Sequence, residues 1–537
     1  MTVTHILRHI PRVMTVLIGL TLWGTFGQIH AAVAATDAGP EQVTGFADIH
    51  VHQMAEYAFA GAWFYGSHKG PESEALKRCT GGHIFGGDHA RTKYGPLNEF
   101  LGKVPGSDGD TGWHFFKRDG YPYYTGWPRW DTIAHQQVWE GHLKQAFASG
   151  LRLYMMSAVD FKYLCDAMPS SNRKPGLTCN EMAGADVQLR AAHDFAAQRD
   201  WVAIAGTPVE AREIINSGRL AMILAVEVTR LFDDDGWAER LDYYYHHFKV
   251  RSIQVGHQLD NRFTGVAPHH FIFKLFQFLD DLGSGSADPG FNLDGNGKNI
   301  LGLTSEGKDL VRAMMEKQMI IDIAHLSERA VDDVYGIARE TAYYPIVLSH
   351  GHLRSIMMDD KQTEEKTTPD RIIRMIRETG GMMGLRTGAE QVKTYQGAGV
   401  PNDCDGSSKS FAQAYQYGTK GLKVNIAFAS DMNGFIQQLR PRFGNADETC
   451  AASGDTARRD SQQAVQSQML GTPFDYQGFG HIGLERDIID DLKQFGVDTS
   501  GLENSAETFI QVWERCYDDG RTGPLDTSDF NTSGIID

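Results

Sequence analysis

The chain is 537 residues long, 41% hydrophobic and 22% charged, with a formal net charge of -17 at pH 7. These are the proportions of an ordinary globular protein, and the length suits one large domain carrying insertions. The acidic balance excludes nucleic acid as a partner, since a phosphate backbone is repelled by the mean field, and it fits a protein that binds cations.

In chain order, Arg8 and Arg12 precede an apolar run from Val13 to Phe26, and Ala32-Val33-Ala34 then supplies a small-x-small cleavage pattern. Residues 1–34 are therefore expected to be a signal peptide cut near Ala34, with 35–537 as a single exported domain, periplasmic or secreted. No stretch reaches the roughly twenty apolar residues of a membrane span. Eight short apolar runs follow: "FADIHVH" (46–52), "LRLYMMSAV" (151–159), "AMILAVEV" (221–228), "VRSIQVGH" (250–257), "QMIIDIAH" (318–325), "PIVLSH" (345–350), "GGMMGLRT" (380–387) and "VNIAFASD" (424–431). Several are almost continuously apolar, as strands buried on both faces should be. Between them lie amphipathic stretches at 187–200, 305–318 and 369–380, bounded by Gly, Pro, Ser or Thr. Eight strand–helix units predict an α/β fold, a closed (β/α)8 TIM-type barrel. An open doubly wound sheet is the competitor, but no GxGxxG opens a helix after a strand.

Two stretches fall outside the minimal barrel. Residues 61–131 are rich in aromatics and glycine and are expected to form loops over the C-terminal mouth, either a packed loop or a substrate cap. Residues 284–299 open like a calcium loop, but position twelve is Leu303 where a glutamate is required, so a turn-rich connection is expected. Six cysteines permit disulfides in an exported chain, with Cys165–Cys179 and Cys404–Cys450 as candidate pairs; no CxxC occurs.

Reactive groups of such barrels sit at the C-terminal strand ends. There the runs place His50 and His52, Glu227, His257, His325, His350 and Asp431. One histidine at a strand end is commonly an ordinary hydrogen-bonded residue, but six of eight strands closing this way point to one shared cavity. Imidazoles and carboxylates without thiolates suit two divalent cations, with zinc the expected ion. His50 and His52 would hold one, His325 and His350 the other, and Glu227 would bridge them. Asp431 would ligate and shuttle the proton, and His257 would bind substrate and its developing oxyanion. Asp48 and Asp322 are candidates to orient the ligands from behind.

These residues resemble the renal (membrane) dipeptidases of the amidohydrolase superfamily. "GLTSEGKDLVRAMMEKQMIIDIAHLSERAVDDV" and "PIVLSHGHLRS" are similar to that family's fifth and sixth strand regions, and "LAVEV", "VGHQLDN" and "FASDMNGF" to its other site strands. The resemblance runs from about Ala221 to Asp431. It implies a barrel with a binuclear zinc centre that hydrolyses dipeptides or related N-acyl amino acids, with Glu227, His325 and His350 as ligands, His257 at the substrate and Asp431 catalytic. The chain has HxH on its first strand where the family has HxD, and no lysine to serve as a bridging carbamate. Arg354 and Arg386 are the candidates to bind the substrate carboxylate. An ester, lactone or phosphotriester substrate, and a binding protein without turnover, are the alternatives. A small molecule or short peptide is the expected partner, and self-association as a homo-oligomer is left open.

Overall fold

The computed structural model describes residues 41–78, 120–122, 124, 127–167, 170–233, 236–269, 272–273, 276, 290–443, 474–526 and 528–536. The expected signal segment, Cys450 and much of the 61–131 insertion lie outside these residues.

The strands are β1 (Phe46–Val51), β2 (Leu151–Asp160), β3 (Val202–Ile204), β4 (Leu220–Val228), β5 (Val250–Gln254), β6 (Ile320–Asp322), β7 (Ile346–Gly351), β8 (Met382–Arg386), β9 (Thr394–Tyr395), β10 (Ile426–Ala429) and β11 (Ile535–Ile536). Parallel pairing runs β2-β1-β10-β8-β7-β6-β5-β4, and the β2–β4 ladder from Leu153↔Ala221 to Asp160↔Val228 closes the ring. All eight apolar runs are ring strands, and the fold is the expected TIM-type barrel. Every residue of β4 is buried, which is why its sequence shows no polar alternation.

The sequence reading missed β3, whose three residues are too few to carry a period. β3 pairs with Leu220, Ala221 and Met222 at the base of β4, and β5 takes over pairing from Leu224 onward. Strands β9 and β11 form a separate antiparallel ribbon.

Helices α1 (Glu181–Ala197), α2 (Pro208–Asn216), α3 (Ser305–Glu316), α4 (Glu328–Glu340), α5 (Asp370–Glu378), α6 (Glu485–Gln494) and α7 (Ser505–Cys516) are the longer ones around the ring that bear on the site. Helix α1 starts earlier than its apolar period predicts because the Asn180 side chain accepts the Ala183 amide. Thr207, Thr304 and Ser327 cap α2, α3 and α4 in the same way. Each such cap contributes about 1 kcal/mol. In α3 the buried face is Leu310, Val311, Met314 and Met315, the spacing of one helical stripe.

Cys165 and Cys179 are disulfide-bonded, with Cα atoms 5.5 Å apart. Cys404 is also disulfide-bonded, to a partner outside the described residues, whereas Cys516 is a buried free thiol. Asp294, in the would-be calcium loop, accepts the Asn296 and Lys298 amides and so forms a turn. Among the described residues no helix is long and apolar enough to cross a membrane.

Candidate metal centre

Parallel pairing puts the C-terminal ends of all eight ring strands at one mouth, so residues distant in sequence meet there. His50 lies in β1 and His52 just beyond it, and both side chains face the same cluster. The ends of β1 and β10 are joined by two backbone bonds, Asp431 N–H to the His50 carbonyl (2.9 Å) and His52 N–H to the Met432 carbonyl (3.1 Å). Asp431 and His325 both have left-handed backbone, with φ of 49° and 64°. Non-glycine residues hold that conformation only where surrounding contacts dictate it. For His325 one such contact is its carbonyl, which accepts the Ala267 amide at 2.7 Å.

Glu227 occupies the middle. Its Oε2 lies 3.2 Å from Nε2 of both His50 and His52, while its Oε1 lies 3.0 Å from His325 Nε2 and 3.5 Å from His257 Nε2. Asp431 Oδ1 is 3.1 Å from His52 Nε2 and 3.7 Å from His50 Nε2. His350 stacks on His50, with ring centres 4.0 Å apart, and its Nε2 is 2.9 Å from His325 Nε2. Three sets of ligand atoms lie within 4.8 Å of one another: His50, His52 and Asp431; His50, Glu227 and His350; Glu227, His257 and His325. The expected neighbours His325 and His350 do lie together, and His350 also stacks on His50, while the His257 ring lies edge-on to His325 with centres 4.5 Å apart.

The donor set fits cations on its own chemistry. His50 Nε2 and Glu227 Oε2 are buried without a hydrogen-bond partner among the described residues, although both point into the cluster. A buried carboxylate left so is costly unless a positive charge faces it. Burial pushes the Glu227 carboxyl up, but the imidazoles of His257, His50 and His325 outweigh it and hold the group well below the carboxylate range. Burial lowers His52, yet its bonds to Asp431 and Glu227 prevail and raise it to about 10; burial pushes His257 down to about 3. Ligation of a cation requires the neutral ring. The ring of His52 is oriented for that: its Nδ1 donates to the Ser157 carbonyl at 2.9 Å, which leaves Nε2 with its lone pair aimed inward.

Asp48 and Asp322 act on the main chain rather than on the imidazoles. Asp48 Oδ1 accepts the amides of His50 and Ser430, and Asp322 Oδ1 accepts those of Ala324 and Ser349. Each aspartate therefore staples a ligand-bearing strand end to its neighbour.

The two arginines part ways. Arg386 ends β8 and lines the cavity, its Nη2 3.5 Å from Asp431 Oδ2 and its Nη1 3.1 Å from His352 Nε2. Arg354 does not reach the cavity. Its guanidinium bonds Glu328, Thr367 and the Glu364 and Glu365 carbonyls, so it braces residues of the cavity wall, and the expected direct contact of Arg354 with substrate is not favoured.

Several residues of the site carried no sequence signal that was used. His352 repeats the HxH spacing after β7 and could have been found by it; it pairs with Glu390 at 3.3 Å. Asn433, which donates to the His52 carbonyl, and Glu485, buried against Asp48, have no motif. Burial and then the charge of Asp48 raise Glu485 far above the usual carboxyl range. The described part of the 61–131 insertion backs the cavity instead of lining it: Trp63 and Phe64 pack on Phe435, and the lining comes from Phe59 and Ile133 at its flanks.

Residues 284–431 match the family model of the membrane dipeptidases, peptidase family M19. Over that segment the chain is membrane-dipeptidase-like. The match contains His325, His350, Arg386 and Asp431 and stops short of His50, His52, Glu227 and His257, which the barrel brings to the same mouth. A curated relative, an uncharacterized protein in the PQQ-III 3' region of Acinetobacter calcoaceticus, is 33% identical over 84 residues, or 16% of this chain; the chain spans 24% of that relative's length. Similar solved structures include an amidohydrolase from Pseudomonas aeruginosa (12% identity, TM-score 0.43, 70% of this chain and 92% of that one). A metallo peptidase from Rhodobacter sphaeroides, liganded with a phosphinate mimic of the dipeptide L-Ala-D-Ala, has 16% identity and a TM-score of 0.44 over 70% of this chain and 89% of that one. The probable dipeptidase PvdM from Pseudomonas aeruginosa has 16% identity and a TM-score of 0.41, over 70% and 88%.

Proposed function

We propose that the protein is an exported, binuclear metal-dependent hydrolase of amide bonds in dipeptides or related N-acyl amino acids. The observation that carries this reading is the division of the Glu227 carboxylate, one oxygen towards His50 and His52 and the other towards His325 and His257. Two divalent cations, zinc by donor type, would sit on either side of it, and when bound they supply an activated water and polarise the scissile carbonyl. His50, His52 and Asp431 form one side of the cradle, His325 and His257 the other, with His350 between.

Asp431 is placed for proton transfer. Its Oδ1 faces the ligand cluster, and its Oδ2 faces Arg386, whose cation keeps the group ionised and able to accept a proton. Burial raises the carboxyl, but the bond from His52 and the charge of Arg386 together hold it below its ordinary value. The same oxygen can return that proton to the departing amine nitrogen. Arg386 also borders the cavity, where its charge can attract a carboxylate on the amine half of the substrate. Residues 1–34 would be the leader and the remaining chain the enzyme; the Cys165–Cys179 disulfide supports an oxidising destination. The test is metal analysis of the purified chain together with a hydrolysis screen of dipeptides, N-acyl amino acids and lactones. Two ions per chain and turnover of the amides are expected; absence of metal, or turnover of lactones alone, would overturn the reading.

A further inference from the structure

The cavity over the mouth encloses about 460 Å3, in the range of pockets that take ligands larger than a dipeptide of small residues. Its two ends differ in chemistry. In ring order β8 is separated from β2 by β10 and β1, so the loops that follow β8 and β2 face one another across the ligand cluster. Above β7 and β8 the lining holds the charged and polar groups Arg386, His352, Glu390 and Lys366, interspersed with Met357, Met358 and Ile372. Above β1, β2 and β10 lie Phe59, Ile133, Val159, Phe161, Leu164 and Phe435.

That apolar wall is built as a unit. Its residues belong to or pack against a buried cluster separate from the barrel core, which also contains Trp63, Phe64 and Cys165. Phe435 reaches it from the loop after β10 and lies 4.8 Å from the Phe64 ring and 5.3 Å from Phe59. The Cys165–Cys179 disulfide closes the loop directly behind Leu164, so the wall is covalently fastened. A wall packed and tied in this way is preorganised for an apolar group and loses little entropy on receiving one. Among the described residues that form the wall none has a charged side chain, and an unpaired charge brought there would be desolvated at high cost.

Resting on the amide-hydrolase reading, we propose that this wall is an acyl-side subsite. The substrate is an amide whose acyl half is a bulky, uncharged apolar group, and whose amino-acid half keeps its carboxylate at Arg386 across the ring. Hydrolysis adds water across the C–N bond, releasing an apolar carboxylic acid and a free amino acid, and it needs no co-reactant beyond water.

The experiment uses the full chain loaded with zinc and two substrate series. One is N-acyl-alanines from acetyl to octanoyl; the other is N-acetyl amino acids whose amino-acid side chain grows from alanine to phenylalanine. For the acyl series kcat/KM should rise by roughly fourfold per methylene until the wall is covered, the factor expected for transferring each methylene from water. Phe435→Ala and Leu164→Asn should flatten that dependence. A flat acyl series in the unaltered protein, with N-acetyl-alanine still hydrolysed, would overturn the subsite and leave the hydrolase reading intact, as would a dependence on the amino-acid half instead. Failure of the zinc-loaded chain to cleave any amide of either series would overturn the hydrolase reading, and the subsite with it.

Discussion

Glu227 and Asp431 are buried carboxylates with different work, and substitution should separate them. Glu227 stands between imidazoles on both of its oxygens. Glu227→Gln removes the negative charge that both sides share and leaves the histidines facing a neutral amide, so metal content measured by elemental analysis should fall for both ions. Folding stability in the metal-loaded state should fall with it, by about 3–5 kcal/mol, the scale for removing one partner of a buried charge cluster. Retention of both ions would show that the bridge lies elsewhere. Asp431 stands at the edge, one oxygen towards the cluster and one towards Arg386. Asp431→Asn should cut turnover by about 10²- to 10⁴-fold, the usual contribution of a positioned acid–base group, while losing less metal than Glu227→Gln. A binding protein without turnover would be indifferent to the second change.

At the scale of elements, the strand ends are only as well placed as the segments that hold them. Helix α6 carries Glu485, buried beside Asp48 of β1, and two residues on it carries Asp487. Burial, and after it the charges of Asp490, Asp491 and Asp475, push the Asp487 carboxyl up to about 8, with Arg486 offsetting only part. Arg442 sits in the same cluster but its bonds go to Asp475 and Asp491. A carboxyl raised on folding adds stability below its unfolded value of 3.8, and that contribution is lost as pH rises through about 8. The unaltered chain should therefore lose unfolding free energy relative to Asp487→Asn between pH 5 and pH 8 in denaturant titrations. A relative stability that stays constant or rises over that range would mean that Asp487 is already charged in the fold. None of this was legible in "LERDIIDD", which reads as an ordinary amphipathic helix start; the raised groups come from packing α6 against β1 and the Arg442 cluster.

At the scale of the molecule, the C-terminal helix closes what the N-terminal strand opens. Glu507 on α7 accepts the Val43 amide and both arms of Arg212 on α2, and Ser505 accepts the Ala47 amide. Because this ties the first ring strand to a helix more than 450 residues later, its loss should act on the whole barrel. Glu507→Ala removes the Val43 bond and one of the two carboxylates of Arg212, which keeps Glu514, and should cost about 1.5–3 kcal/mol in cooperative unfolding, read by denaturant midpoint. Reducing the Cys165–Cys179 bond, which closes a loop with a sequence separation of 14, should cost about 3 kcal/mol by the chain-entropy argument.

The eight ring strands, the barrel class and the identities of the groups at the strand ends were determined by the sequence itself. Hydrophobic runs of strand length alternating with helical periods admit few folds, and a polar residue ending an apolar run stands out against them. Three things were decided only by the tertiary structure. The packing of the histidines around Glu227, with His350 against both His50 and His325, depends on ring contacts across strands that no local pattern specifies. That Arg386 and not Arg354 borders the cavity depends on how the loop after β7 packs over the mouth. The apolar wall opposite Arg386 depends on loops from β1, β2 and β10 meeting over the mouth, and such long-range meetings are set by closure of the ring, which only the folded chain possesses.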